Sequence, residues 1–438
     1  MPTICPVARF VTERVREYPH PTSVAVIVTA FDTPVYEDDR YAACTALAAG
    51  PLRRKHVAHV AQEREIIMSE RADKQFHGIR VGSPEAVAAH SDRTVITIAS
   101  PEDLLAWLPY GLGFHPFNCL CLLALDIADQ DGPALIRIDL PVEPDEVKPW
   151  ADYLVSWVKN AGARTVMLIG YGPGDKVTPV IEASMTAARE VDIDVYEALL
   201  VENGRYWSYL CTEVACCPPE GTPYDQSTSR ISAQATLNGM VALANREELE
   251  RTVAPLGSAG RTSIIQATVR AEQRIVRWAT ENGVPSVCDR MVDEGLPFVR
   301  DLIEWGGLLN DDEVAWLGIL LTHPRVFIEA WVRTDENHLD MWRDMMRRVD
   351  DNFAVVPACL TAYAAYLSGN GALANVALDR AFQIENDHPM AKVLRDMIQA
   401  GAHPSKLRVK ITPEELSAAY DRLSAEVENS RFHEDGYE

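Results

Sequence analysis

The sequence predicts an α/β domain with a layered mixed sheet, followed by an all-helical domain that contains a tetratricopeptide-like helical hairpin. Short apolar and β-branched runs alternate with amphipathic segments between residues 93 and 244, which is the pattern of a layered α/β domain. From residue 245 the pattern becomes helical and helix-start signals recur. Two alanine-containing segments around a glycine-rich turn then indicate the hairpin.

The chain of 438 residues is too long for one ordinary compact domain, and we divide it into four predicted segments. Residues 1–92 form an N-terminal α/β or helical extension, with a predicted strand over Ser23–Phe31. Residues 93–244 form the α/β domain with a cysteine-rich loop, and residues 245–404 form the helical domain. Residues 405–438 form a C-terminal helix and a polar tail.

The α/β domain opens with a strand and a helix whose start carries three adjacent signals. The run "TVITI" predicts the strand. Ser100 supplies an N-cap, Pro101 takes the first helical position and Asp103 places an acid in the first turn. Two apolar strands, "CLCLLALDI" and "ALIRIDL", flank an Asp131-Gly132 turn signal, so we expect them to pair antiparallel.

The second half of the α/β domain alternates helix and strand. Four apolar residues share one face of a predicted helix: Trp150, Leu154, Trp157 and Val158. The run "RTVMLIGYG" predicts a buried strand, "VTPVIEASMTAAREV" a helix and "IDVYEALLV" a second strand. Strand, helix and strand of these lengths predict a crossover between two parallel strands.

Capping signals mark helix starts in the last part of the chain. In each, a polar residue precedes a glutamate by three positions, in the pairs Asn245 and Glu248, Asn310 and Glu313, and Thr412 and Glu415. Between Pro357 and Ala400 we expect two linked helices around a glycine-rich turn.

A large apolar and sulfur-rich stripe precedes the predicted hairpin. Its residues recur at helical spacing and are Trp331, Met341, Trp342, Met345 and Met346. Such a stripe is typical of a core, with docking of a partner as the alternative.

The charge balance disfavours polyanionic partners. The chain has 41 basic and 64 acidic residues, a formal net charge of -23, so its average surface repels phosphate backbones and anionic lipid. No apolar run reaches the roughly 18 residues that a membrane-spanning helix needs. The N-terminus has charged residues where a signal peptide needs its apolar core. We therefore expect a cytoplasmic protein that binds neither nucleic acid nor membranes.

The stretch "GRYWSYLCTEVACCPPEGTPYD" is the first candidate for a site. It contains Cys211, Cys216 and Cys217, and a thiolate is both a soft metal ligand and a nucleophile. Three interpretations stay open: packing of small buried side chains, a metal site with zinc as the cofactor, and disulfide or redox chemistry. Two adjacent cysteines do not easily point at one ion, which favours packing. A fourth zinc ligand would come from His115, Cys119 or Cys121.

A glycine-rich turn between the buried strand and the next helix is the second candidate. It contains Gly170, Tyr171, Gly172 and Gly174, and backbone N–H groups in such a turn can approach an anion. The dinucleotide and P-loop glycine patterns are both missing, and Asp175 would repel an anion. A tight strand-to-helix turn capped by Asp175 is therefore the favoured interpretation.

Arg137 and Asp139 are the third candidate. They stand two positions apart in one strand, so both point to the same face of the sheet. We expect them to pair with each other, with Arg205 or with a ligand. A structural pair is favoured over a ligand site.

Five separated motifs occur in an order that is similar to a known family. They are "SPEDLLAWLPYGLGFHP", "IRIDLP", "LIGYGPG", "GRYWSYLC" with "CCPPEGTP", and "GNGALANVALDRA". In these motifs, over residues 93 to 404, the chain resembles the actinobacterial family catalogued as domain of unknown function 4192. The resemblance implies the domain layout and an actinobacterial origin, and it implies no activity.

We expect a non-catalytic ligand-sensing protein or a protein-interaction scaffold, whose partner is another protein or a second copy of the chain. A helical hairpin offers a groove, and motifs such as G-x-S-x-G and H-E-x-x-H are absent from the sequence. The alternative is an enzyme or metal-binding protein. Its site would combine the cysteine loop, Arg137, Asp139, Arg205 and the Gly170 to Gly174 turn in one cleft.

Overall fold

The computed structural model describes residues 79–81, 96–125, 127, 133–283, 285–402, 404–408, 412–415 and 418. The predicted strand over Ser23–Phe31, nearly all of the 1–92 extension and the Asp131-Gly132 turn lie outside these residues. Most of the predicted 405–438 segment does so as well.

The described strands all lie between residues 79 and 223. They are β1 (Ile79–Val81), β2 (Ile96–Ile98), β3 (Cys119–Leu125), β4 (Ala134–Asp139), β5 (Thr165–Tyr171), β6 (Asp194–Glu202), β7 (Arg205–Ser208) and β8 (Thr222–Pro223).

Helices lie between the strands in the chain, and the described elements after β8 are all helical. The helices among the strands and up to residue 237 are α1 (Pro101–Leu112), α2 (Val147–Asn160), α3 (Gly174–Glu190) and α4 (Arg230–Leu237). The later helices are α5 (Arg246–Val253), α6 (Ser258–Asn282), α7 (Pro285–Trp305), α8 (Asp311–Leu320), α9 (Pro324–Arg333), α10 (Leu339–Arg348), α11 (Val355–Leu367), α12 (Gly371–Ile384), α13 (Pro389–Gln399) and α14 (Pro404–Leu407). An α/β part is thus followed by a helical part, as the sequence predicts.

Six strands form one mixed sheet in the order β4-β3-β5-β6-β7-β8. β3 pairs antiparallel with both β4 and β5, while β5 and β6 are parallel. The antiparallel pair and the parallel crossover that the sequence predicts are both confirmed. β7 and β8 extend the sheet in antiparallel pairing, with β8 at the edge, and β1 and β2 form a separate antiparallel pair.

Both faces of the central strands are buried. On one face, residues such as Leu120 and Leu122 of β3 pack with α2 and α3. On the other, Cys119, Cys121 and Leu123 join a core that includes α1 and extends into the helices of the second part. β3 therefore has a continuous apolar sequence instead of an alternating one.

The helical part packs directly against the α/β part. Leu243, just before α5, bridges to Phe114 after α1, and its N–H donates to the Gly113 carbonyl at 2.8 Å. Near the C-terminal end of α13, Gly401 lies against Trp157 of α2 so closely that an added Cβ would be 2.8 Å from the indole. Two separate contacts thus connect the helices to the α/β part.

Helix-capping signals in both parts of the chain agree with the structure. The Ser100 side chain caps α1 in the α/β part. In the helical part, Asn245 caps α5, and Asn310 forms a reciprocal capping box with Glu313. Thr412 and Glu415 make the same two hydrogen bonds.

The predicted hairpin contains a third helix. α11 and α12 form the expected pair, but the segment counted as one second helix is divided into α12 and α13. Glu385 leaves the helical conformation, with φ -138° and ψ 95°. Pro389 then starts α13 at a position where its missing N–H costs nothing. Pro389 therefore begins the third helix, while α12 already ends at Ile384.

The apolar stripe between α9 and α10 is core, as its spacing predicts. Trp331, Met341, Trp342, Met345 and Met346 are all buried. The Trp342 indole N–H donates to the Thr334 hydroxyl at 2.9 Å. The alternative of partner docking by this stripe therefore does not agree with its burial.

Among the described helices, none combines the length and apolar character that crossing a lipid bilayer requires.

Replacing Gly170 with alanine should destabilise the sheet packing. A Cβ at this position would lie 2.2 Å from Cγ1 of Val177 in α3, so the strand and helix must separate, at a cost of about 1–3 kcal/mol. Urea unfolding measures this cost as a lower midpoint at an unchanged slope. Gly371→Ala is the matched control, because the nearest atom to its Cβ is 3.8 Å away. Equal stability of the two variants would contradict the packing argument.

Candidate functional site

The cysteine-rich stretch contains β7, β8 and the loop that joins them into a β-hairpin at the edge of the sheet. β6 and β7 are joined by Asn203 and Gly204, whose φ angles are 49° and 73°. Two positive φ angles in a two-residue loop are what a type I′ turn requires. The dipeptide Asn203-Gly204 is itself a sequence signal for this turn. The cysteine-rich stretch begins at Gly204 and so contains only the second residue of this signal. β7 then runs into residues 209–221, which we call the thiol loop, and β8 returns beside β7.

The end of the thiol loop is held against β7 by Trp207. The indole packs on Gly221, where an added Cβ would be 2.4 Å from the ring. Gly221 also has φ +80°, so a side chain there would be both strained and obstructed. The indole N–H donates to the Pro219 carbonyl at 3.0 Å.

Arg205 holds the same end of the loop. Its Nη1 donates to the Gly221 carbonyl at 2.8 Å and to the Glu220 carbonyl at 3.2 Å. The predicted ligand residue thus contacts the backbone that closes the thiol loop, and it does not pair with Arg137 or Asp139.

The start of the thiol loop depends on Ser208. Its hydroxyl accepts from the Cys211 N–H at 3.0 Å and donates to Oε1 of Glu197 at 2.8 Å. Further along, the carbonyl of Glu213 accepts from the N–H groups of both Cys216 and Cys217. These bonds form a tight turn that returns the chain towards Cys211.

The three thiols of the loop converge. The Sγ atoms of Cys211, Cys216 and Cys217 all lie within 4.8 Å of one another, and all three are free thiols. Cys216 is exposed and the other two are partly exposed, so the interpretation as small buried side chains does not agree with their positions. The turn at Glu213 overrides the expectation that adjacent cysteines diverge.

Within the described residues, no fourth His, Cys, Asp or Glu joins this group. Cys119 and Cys121, which the sequence offers as ligands, are buried in β3. His115 lies after α1, near the bridge to Leu243. The described group that could hold an ion therefore consists of three sulfurs.

The thiols differ in acidity. The pKa of Cys211 is lowered, first because Cys217 donates a hydrogen bond to its sulfur and second because of a hydrogen bond from the backbone of Glu213. Burial raises the pKa of Cys217 to about 12, and its hydrogen bond to Cys211 adds to this effect. Cys211 is thus the more thiolate-like of the two.

The spacing of the sulfurs suits one thiophilic ion. A Zn–S bond is about 2.3 Å long, so two sulfurs on one tetrahedral zinc are about 3.8 Å apart. Sulfurs already within 4.8 Å of one another need only a small contraction. Three protein ligands leave one tetrahedral position for water or another ligand.

Arg137 and Asp139 pair with each other, as the sequence predicts. Nη2 of Arg137 lies 2.5 Å from Oδ1 of Asp139. Cys119 stands between Asp139 on β4 and Tyr171 on β5 in the strand register. The pKa of Cys119 is lowered, chiefly by a hydrogen bond from Cys121 and also by the charge of Arg137. The sequence offers both cysteines as zinc ligands, but the hydrogen bond between them was not predicted, although positions 119 and 121 share one strand face.

Tyr171 is buried in the same core as Cys119 and Cys121. Its hydroxyl has no hydrogen-bond partner among the described residues, and burial raises its pKa well above the ordinary value.

The glycine-rich turn makes its key contact with a side chain of the protein itself. The Gly174 N–H at the start of α3 donates to Oε2 of Glu202 at 3.2 Å. A carboxylate of the chain thus takes the position that an anionic ligand would need. The cap predicted for Asp175 is wrong, because the N-cap position is Pro173. Gly172 packs against Asn118, with an added Cβ 2.9 Å from its side-chain oxygen.

The sheet order separates the candidate residues. Arg137 and Asp139 lie on β4, four strand intervals from β7, which is a distance of about 19 Å at the usual spacing. The structure therefore does not bring the thiol loop and this ion pair into one cleft.

Residues 101–405 match the family model described as a domain of unknown function (DUF4192). No curated protein and no solved structure matches the chain.

Cys211 should react with iodoacetamide before Cys217 in the metal-free protein at neutral pH, because its lowered pKa gives it the larger thiolate fraction. Peptide mass spectrometry after short exposures measures the two rates. Buried Cys119 and Cys121 serve as internal controls that react only after unfolding. Cys217→Ala should slow labelling of Cys211 by removing the donor. Faster labelling of Cys217 than of Cys211 would contradict the assignment.

Proposed function

We propose that this chain, which belongs to the family described as domain of unknown function (DUF4192), is a non-catalytic metal sensor. It holds one thiophilic ion, zinc foremost, on Cys211, Cys216 and Cys217. The observation that carries the proposal is the convergence of three free thiols within 4.8 Å in a loop of 13 residues, 209–221.

The supports of the loop favour a prepared site over a chance cluster. The hydroxyl of Ser208 orients the backbone at Cys211, and Glu197 in turn accepts from that hydroxyl. Groups one shell behind the ligands commonly fix ligand positions in metal sites. Trp207 and Arg205 hold the other end of the loop. An ion would therefore meet ligands whose backbone is already positioned.

The exposure of the loop suggests sensing. Cys216 is exposed and the loop lies at the edge of the sheet. An ion bound by the three sulfurs would link Cys211 to the turn that carries Cys216 and Cys217. Binding of the ion would therefore change an exposed surface that a partner can contact. A cytoplasmic location, where the three thiols would stay reduced, is part of this proposal. So is the actinobacterial origin that the sequence resemblance implies.

A second candidate function is docking of another protein chain. In the described part of the molecule, α6 exposes Ile265, Val269 and Val276, each to 46–50%, and their spacing of four and seven residues puts them on one helix face. This surface suits the predicted scaffold role better than the buried stripe around Trp342. We expect a second copy of the chain to bind here.

Elemental analysis of protein purified without a metal-affinity column should give one zinc per chain. Cys211→Ser, Cys216→Ser and Cys217→Ser should each weaken zinc binding by at least about 10-fold, since loss of even an outer partner costs 10- to 100-fold. Competition with a chromophoric chelator measures the affinity. Glu213→Gln is the control, because it keeps the backbone carbonyl that forms the turn. Metal-free protein with no measurable zinc affinity would refute the proposal.

Sedimentation velocity tests the docking surface. The wild-type chain should dimerise, and the double variant Ile265→Lys with Val269→Lys should remain monomeric because it places two charges on the apolar face. Val241→Lys is the control, since Val241 is exposed outside α6. A monomeric wild type, or a dimer that survives both lysines, would remove self-association through α6.

A further inference from the structure

A concave surface lies beside the open end of the β7–β8 hairpin, away from the thiol loop. It is an open cleft of about 870 Å³ between α1, α4 and the turn that joins β6 to β7. The residues that matter here are Tyr110, His115, Gly204, Tyr224, Asp225 and Thr236. The residues of the thiol loop do not line it. It lies beyond the carboxyl end of β6, next to Gly204.

Two tyrosine rings are fixed at the cleft. The Tyr224 ring packs edge-on against Tyr206 at a centroid distance of 6.3 Å, and its N–H donates to the Gly204 carbonyl at 3.1 Å. The Tyr110 hydroxyl lies 3.4 Å from the Thr236 hydroxyl. Tyrosine presents a rigid apolar face with a polar end, so these rings offer a prepared surface for a flat ligand.

Two polar groups at the cleft have unused hydrogen-bonding capacity. Within the described residues, neither the His115 imidazole nor the Tyr224 hydroxyl makes a hydrogen bond. The backbone of His115 is nevertheless fixed, because its N–H donates to the Leu243 carbonyl at 2.9 Å. The exposed imidazole is therefore available to contact a ligand in the cleft.

The charge at the cleft is negative. Hydrogen bonds from Ser227 lower the pKa of Asp225, so this carboxylate is ionised at neutral pH. No lysine or arginine is among the described residues that line the cleft. The protein as a whole carries a formal charge of -23. A phosphate or carboxylate ligand would therefore be repelled.

We propose that this cleft binds an uncharged ligand of the nucleoside class, in which a flat heteroaromatic ring carries a hydroxylated group. The tyrosine rings would stack on the heterocycle. The hydroxyl groups would donate to Asp225, as ribose hydroxyls do to acidic residues in dinucleotide sites. The volume lies within the 300–1,000 Å³ of small-molecule sites, which is ample for a nucleoside.

Titration calorimetry of the full chain with adenosine tests the proposal, and adenosine monophosphate tests the charge argument. Adenosine should bind saturably, and the monophosphate should bind at least about 10-fold more weakly. Tyr224→Ala and His115→Ala should each weaken adenosine binding by about 10-fold or more. Asp225→Asn should reduce the difference between the two ligands. Tyr153→Ala is the control, since Tyr153 is an exposed tyrosine on α2.

Several results would overturn the proposal. They are no saturable binding of adenosine at millimolar concentration, tighter binding of the monophosphate, or adenosine affinity that is equal in the wild type, Tyr224→Ala and His115→Ala. Exposed His115 provides the decisive variant if Tyr224→Ala fails to fold. Cys211→Ser should leave adenosine affinity unchanged, so failure of this site and failure of the metal site can be told apart.

Discussion

The packing of Trp207 on Gly221 is the contact on which the candidate metal site depends. It closes the thiol loop at the point where the chain returns to the sheet, and the Arg205 guanidinium secures the same backbone. With the loop ends fixed, the hydrogen bonds to the Glu213 carbonyl turn Cys216 and Cys217 towards Cys211. A larger residue at position 221 would separate the loop from β7 and disperse the three sulfurs.

The sheet places this loop where it can respond to the surroundings. The buried strands β3 and β5 form the rigid centre, while β7 and β8 are short strands at one side of the sheet, with β8 at its edge. Function carried on a loop at the edge of a rigid scaffold is common, because the loop can change without disturbing the core. The thiol loop joins β7 and β8 at one end of their hairpin. Gly204 and Tyr224, at the other end, line the tyrosine-containing cleft.

Interactions between residues close in sequence were predictable, and those between distant residues were not. The cap at Ser100, the box at Asn310 and the pair of Arg137 with Asp139 each involve positions two or three apart. The bond from Gly174 to Glu202 spans 28 residues, so no residue pattern near Gly174 favoured Glu202 over Asp175. The convergence of the thiols depends on backbone hydrogen bonds and on Trp207, which cysteine spacing alone does not encode.

The most direct test of the metal site is X-ray absorption at the zinc edge on the full chain loaded with one equivalent of zinc. We predict three sulfur neighbours at about 2.3 Å and one lighter atom completing a tetrahedron. We also predict that Cys216→Ser reduces the sulfur count by one. A shell of nitrogen and oxygen alone would contradict the account, because the ion would then lie away from Cys211, Cys216 and Cys217.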